Sequence, residues 1–196
     1  MINKPFNVKG FTLMELLIAV AILAILLSIG VGSYSSLFKK NELRGATESL
    51  YSLLTYAKSE SIKSNSQIAV TFKEGTDGAW CAGLRTVSGA NNTCDCDALI
   101  TADNSCKLTS DAGTAKRLVV VDGSEFGQID LTVNSMTDKT IIFDNVRGMP
   151  VQTGRVLGSV QVATDEGDKV KAEVNIMGNV KTCTVSGSSD YASCTP

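Results

Sequence analysis

KGFTLMELLIAVAILAILLSIG, residues 9–30, sets the architecture of everything that follows it. From Leu16 to Val31 the one polar residue is Ser28. That run is near the lower limit of the roughly 20 apolar residues that span a bilayer as a helix, and Phe11 to Met14 lengthen it. A secretory signal would need small residues at a cleavage site after the apolar core. The run passes instead into SIGVGSYSSLFKK, where Ser33 and Ser35 form a weak site at best, so pattern alone leaves this alternative open. Charge leaves orientation open too: Lys4 and Lys9 precede the run, and Lys39, Lys40 and Arg44 follow it closely.

Glu15 stands out in this setting. A carboxylate at the centre of a membrane helix costs about 2.5–3.5 kcal/mol on insertion scales, and less near the interface. Either Glu15 lies at headgroup depth and faces water, or it takes a cationic partner inside the apolar layer.

The rest of the chain narrows the chemistry. Across 196 residues the formal charge is −2, but from Gln67 onward eleven Lys/Arg oppose sixteen Asp/Glu, giving 11 − 16 = −5. Such a domain does not attract polyanions as a whole. There is no histidine, which removes the commonest general base and metal ligand. No G-x-S-x-G and no metal-ligand cluster occurs, so catalysis, a cofactor and a bound metal are all unexpected. The Asp165–Glu166 pair lies in turn-like sequence and reads as solvated loop charge. All six cysteines (Cys81, Cys94, Cys96, Cys106, Cys183 and Cys194) follow the apolar run, and an even number in a small polar domain indicates disulfides formed in an oxidising compartment.

Beyond the apolar run helical spacing persists: Leu43, Ala46, Leu50, Leu53 and Ala57 recur at steps of three and four, with Leu54 beside them. No proline interrupts residues 11–67, so one helix over about 11–64 is expected, roughly 80 Å long. Gly30 and Gly32 suggest a soft point in it. From Ile68 the period changes to two. QIAVTF, GAWCAGL, KRLVVVD, QIDLTVN, KTIIFD, SVQVAT, DKVKAEVNIM and NVKTCTV give eight candidate strands separated by Gly, Asp, Asn and Ser. The expected class is α+β, one long N-terminal helix packed on antiparallel sheets. The segment 87–114 is too long to hang free and is expected to be stapled. A bridge between Cys183 and Cys194 would close the tail TVSGSSDYAS; for the other four, Cys81–Cys94 with Cys96–Cys106 is one option among several, and a direct Cys94–Cys96 link would be strained.

KGFTLMELLIAVAILAIL resembles the class III signal of type IV prepilins and type II secretion pseudopilins, with Gly10, Phe11, Thr12, Leu13 and Glu15 all at matching positions. The resemblance implies a pilin-like fold. It implies cleavage by prepilin peptidase between Gly10 and Phe11, N-methylation of Phe11, and retention of the apolar helix in the inner membrane. The domains implied are a leader over 1–10, a transmembrane or filament-core half-helix over 11–32, an amphipathic half-helix over 33–66 and a periplasmic domain over 67–196. The new amine at Phe11 would then meet Glu15 of a neighbouring subunit, neutralising both as they leave lipid for the fibre.

FDNVRGMPV (143–151) and NIMGNVKTC (175–183) resemble the two signature strands of the GspH/FimT family of minor pilins and pseudopilins, and AWCAGL with the later CDC is similar to its minor pilin branch. The implied function is that of a minor pilin that packs with other major and minor pilins and helps prime a type IV pilus, near its tip, at the cell surface. A type II secretion pseudopilin is the alternative with the same leader. DNA capture in natural transformation is a further one, since FimT-type members are associated with it through a Gly-Arg-x-Arg signature. Here that signature reads Gly178-Asn179-Val180-Lys181, and one lysine lacks the bidentate geometry of two arginines, so DNA is not the favoured partner. Lys169, Lys171, Arg147 and Arg155 are the other cations of a possible patch.

Overall fold

The computed structural model describes residues 10–89, 92–109, 116–151, 156–187 and 190–194; the side chains of 29–34, 116, 156 and 157 lie outside the description. The leader residues 1–9, with Lys4 and Lys9, and Arg155 therefore fall outside it. The chain divides into two compact units, Met1–Phe38 and Lys39–Pro196. A single helix, α1 (Leu13–Lys63), begins in the first and ends in the second, and its backbone is helical through Gly30 and Gly32.

In the first unit the large apolar side chains from Leu13 to Leu27 are all exposed, between 49% at Ile18 and 83% at Leu13. Ser28, the polar interruption, turns its hydroxyl back onto the Ile25 carbonyl at 2.7 Å. Among the described residues no helix is long and apolar enough to cross a membrane; the expected run continues past Ser28 into side chains outside the description.

In the second unit the stripe read from the sequence is the helix's buried face: Leu43, Ala46, Leu50, Leu53, Leu54 and Ala57 lie in the core. Thr47 shares that face by donating its hydroxyl to the Leu43 carbonyl at 2.7 Å. The helix stops in a Schellman turn. Asn65 takes the left-handed conformation (φ 47°), Ser66 N–H donates to Ser61 O at 3.2 Å, and Asn65 N–H to Ile62 O at 3.3 Å.

Two four-stranded antiparallel sheets share this core. The first contains β1 (Ile68–Lys73), β2 (Cys81–Thr86), β5 (Val120–Asp122) and β7 (Thr140–Phe143), ordered β5-β2-β1-β7. The second contains β6 (Ile129–Asn134), β8 (Val156–Thr164), β9 (Lys169–Asn175) and β10 (Val180–Ser186), ordered β10-β9-β8-β6. Strict alternation in β9 buries Val170, Ala172 and Val174 and leaves Lys169, Lys171 and Glu173 on the outer face. Trp80, 2% exposed, closes the core at the start of β2; its indole N–H donates to the Ile129 carbonyl at 2.8 Å and its ring stacks on Phe126 at 5.9 Å.

The strands depart from the sequence reading in two places. A short hairpin, β3 (Lys107–Thr109) with β4 (Lys116–Leu118), adds a strand not expected. KRLVVVD is two strands, because Val119 leaves the ladder to bond Cys106 O at 3.4 Å while accepting from Leu84 N–H at 3.0 Å.

The three disulfides are Cys81–Cys96, Cys94–Cys106 and Cys183–Cys194. The first two replace the Cys81–Cys94 and Cys96–Cys106 option, and strand register gives the reason. Lys73 is paired with Cys81, and its ammonium holds Asp97, so Cys96 arrives at Cys81. Two residues along, Thr71 is paired with Gly83; Thr71 Oγ1 accepts from Cys94 N–H at 3.1 Å, and Cys106 Sγ occupies the space that a side chain on Gly83 would fill. The pairing thus follows two adjacent levels of the β1–β2 ladder.

Cys183–Cys194 holds the tail along the free side of β10, with Thr184 N–H donating to Ala192 O at 2.8 Å and Cys194 N–H to Thr184 O at 2.9 Å. A protein carrying Cys183→Ser and Cys194→Ser together is expected to lose about 3 kcal/mol of stability by the loop-closure model, and to aggregate through the uncovered edge. Urea unfolding and light scattering of the double-serine variant measure both; an unchanged midpoint would show that the tail is held by packing alone.

Candidate functional site

The entry to α1 is built by reciprocal hydrogen bonds. Thr12 is the N-cap: its hydroxyl oxygen accepts from Glu15 N–H at 3.3 Å, and its carbonyl accepts from Leu16 N–H at 3.2 Å. Glu15 answers by accepting from Thr12 N–H on Oε2 at 3.4 Å. This is a capping box, and it satisfies backbone donors that the first turn would otherwise leave open. Reading Glu15 only as a charge in an apolar layer missed it, although T-x-x-E ahead of an apolar run carries the signal. Gly10 and Phe11 precede the box. Phe11 is 82% exposed, and a side chain built at Gly10 would meet no atom within 4 Å. The motif residues Gly10, Phe11 and Glu15 are thus presented together at an exposed helix start.

The two signature segments meet at a second place. In 143–151 Asp144 organises the turn: its Oδ1 accepts from Arg147 N–H at 2.7 Å and Met149 N–H at 3.2 Å, and Gly148 takes φ 62°. In 175–183 Asn175 Oδ1 accepts from Met177 N–H at 3.0 Å and Asn179 N–H at 2.9 Å, and Gly178 takes φ 70°. A side chain on Gly178 would collide with the Gly148 carbonyl, so both glycines are required by positive φ and by close approach. Lys58 of α1 ties the helix to this pair of turns by donating to Met177 O at 3.1 Å and Asn179 Oδ1 at 3.2 Å.

Partial burial alone would raise the Asp144 carboxyl, but the N–H groups of Arg147, Met149, Gly148 and Val146 outweigh it and hold it below the ordinary carboxylate value. The corresponding stability is therefore present above the unfolded value near 3.9 and is lost as pH falls through the lowered folded value. Asp144→Asn is expected to cost about 1–2 kcal/mol at pH 7 and to flatten the acid limb of the stability curve. Urea midpoints at pH 7 and pH 3 check it; parallel curves for the variant and the parent would refute the role.

The other cations are dispersed. Lys171 is ion-paired with Glu173, and the β9–β10 register sets Lys181 opposite that same glutamate. Lys169 pairs in register with Ser186 at the far end of the strand, and Arg147 is exposed in the first signature turn. The outer face of β9 and β10 therefore carries Lys169, Lys171 and Lys181 around one carboxylate, Glu173, which is already ion-paired with Lys171. Asp165 and Glu166 are not free loop charges: Lys39 reaches them at 2.9 and 3.1 Å, which raises its own ammonium and lowers the Asp165 carboxyl. Among the described residues the one close trio of metal-ligating type is Cys81, Cys96 and Asp97, and both of its sulfurs are consumed in a disulfide.

A model described as type II transport protein GspH matches residues 46–178, and the prokaryotic N-terminal methylation motif matches residues 5–31. No curated protein matches. Two crystal structures of the Pseudomonas aeruginosa type IV minor pilin FimU are similar. One, at 18% identity and TM-score 0.47, covers 72% of this chain and 87% of its own; the other, at 14% and 0.44, covers 71% and 91%. With the family model spanning most of its length, including both signature turns up to Gly178, the chain belongs to the GspH family and carries the N-terminal methylation motif of type IV pilins.

Proposed function

We propose that this chain is a minor pilin of a type IV pilus. It is inserted in the inner membrane as a single-pass precursor, cut by prepilin peptidase between Gly10 and Phe11, and methylated on the Phe11 amine. It then packs by α1 among other major and minor pilins and helps prime assembly near the tip. Its chemistry is association, not catalysis. The observation that carries the reading is a capped helix start whose apolar side chains from Leu13 to Leu27 are all exposed, directly after Gly10 and Phe11. Such a surface needs lipid or other helices around it.

The intact mass of the protein extracted from membranes, with and without reduction, tests this. Loss of the leader, one added methyl group and three disulfides are expected. A native polypeptide beginning at Met1 would refute it. The family description favours one second reading, a type II secretion pseudopilin. Recovery of the chain in sheared surface fibres separates the two.

A further inference from the structure

The two large sheets have four outer edges, and three are covered. The tail bonds β10 through Thr184, as described. Residues 149–151 line β7, with Asp144 N–H donating to Met149 O at 2.8 Å and Val151 N–H to Ile142 O at 2.9 Å. Gly75 exchanges hydrogen bonds with Leu131 of β6, and Glu74 Oε1 accepts from Val133 N–H at 2.7 Å. The fourth edge, β5, has no such cover among the described residues.

The phase of that edge is fixed by bonds at its two ends. Gly123 N–H donates to Trp80 O at 2.8 Å, and Leu84 N–H donates to Val119 O at 3.0 Å. The Val119 carbonyl, Val121 and Gly123 therefore face β2, and the N–H and C=O groups of Val120 and Asp122 point away from the sheet. Beside this edge runs a groove of about 540 Å3 between β5 and α1, whose apolar wall includes Leu53, Tyr56, Val119, Val121 and Phe126. Arg117 stands at its rim, 5.7 Å over the Tyr56 ring and 3.4 Å from the Tyr56 hydroxyl, with no carboxylate in ion-pair reach among the described residues. The glutamate on the opposite rim, Glu48, is already paired with Arg44 at 2.8 Å.

Proteins cover sheet edges because an open edge accepts another strand. An edge that no described residue covers, beside an apolar groove with a cation that no described carboxylate pairs, specifies what it accepts. We propose that β5 and its groove receive an extended segment of a different pilin subunit, which bonds Val120 and Asp122 as an added strand. That segment sets a large apolar side chain against Leu53, Val121 and Phe126, and a carboxylate at Arg117. A second copy of this chain does not fit through its own β5. Pairing β5 with β5 requires a two-fold axis normal to the sheet, which would reverse the direction of α1, whereas chains anchored through one membrane run the same way. This inference rests on the minor pilin reading.

The test uses the full-length chain in cells that assemble it, with a photoreactive phenylalanine in place of exposed Ser52 on the groove wall. Expected is one adduct with another pilin, the crosslinked peptide being apolar and containing Asp or Glu. Val120→Pro removes an outward N–H without touching a bond to β2, and adduct yield is expected to fall about tenfold. Arg117→Glu, an exposed substitution that leaves the ladder intact, is expected to cause a similar fall and decides the matter if the proline variant is lost from the membrane. No adduct in protein that is processed and recovered in fibres overturns the inference but leaves the minor pilin reading in place. An adduct of two copies of this chain, or one unaffected by both variants, overturns it as well. Protein that retains its leader overturns the minor pilin reading and this inference with it.

Discussion

Glu15→Gln is expected to deplete the chain from fibres almost as completely as Glu15→Ala, while both precursors are still inserted and cut. The comparison separates the two roles of one side chain. At the third position of the helix a glutamine still closes the capping box with Thr12, so the helix entry is kept; an alanine loses it, at about 0.5–2 kcal/mol. Neither variant presents a negative charge to the Phe11 amine of a neighbour. An amine left unpaired in an apolar fibre core costs about 3–5 kcal/mol, roughly two to three and a half orders of magnitude in an equilibrium. The measurement is the ratio of the chain in sheared fibres to the chain in membranes. If the glutamine variant incorporates like the parent, capping alone accounts for Glu15 and the ion pair is wrong.

The largest expected loss of stability is at Trp80. Trp80→Ala removes a side chain that is 2% exposed, its stacking on Phe126 and one donor to Ile129 O. Large aromatic deletions in a core cost about 3–5 kcal/mol, which for a unit of this size lowers the melting temperature by roughly 10–15 °C. Trp80→Phe keeps a ring in place and leaves the Ile129 carbonyl with the Gly78 N–H, at 3.0 Å, as its donor, so a smaller loss of about 0.5–1.5 kcal/mol is expected. Thermal denaturation followed by circular dichroism measures both. A shift of only a degree or two for the alanine variant would show that the core closes over the gap.

What the sequence disclosed, and what it withheld, follows from the range of the forces involved. The buried stripe from Leu43 to Ala57 was legible because helical period is local and no proline interrupts it. β9 was legible because Lys-Val-Lys-Ala-Glu-Val alternates without a break. The three-residue strand β3 carries no period, and it exists because Cys106 is fixed beside it and β4 pairs with it. The crossing of the first two disulfides was hidden because it depends on which residues of β1 lie opposite Cys81 and Gly83. At the site, the leader motif was readable residue by residue, but Asp144 was not, since its work is to gather backbone groups that come together only once the turn has formed. The capping function of Glu15 was readable and was overshadowed by its charge.

The crossed bridges at Cys81–Cys96 and Cys94–Cys106 also bear on mechanics. In a fibre under tension, an unfolding chain lengthens by roughly 3.5 Å for each residue released. Between Cys81 and Cys106 most of that slack is withheld, because the two closed loops overlap at residues 94–96, and Cys183–Cys194 does the same for the tail. A subunit pulled through its helix would therefore yield first in the segments between the bridges, and it would recoil to its original length with its cysteine pairs still matched.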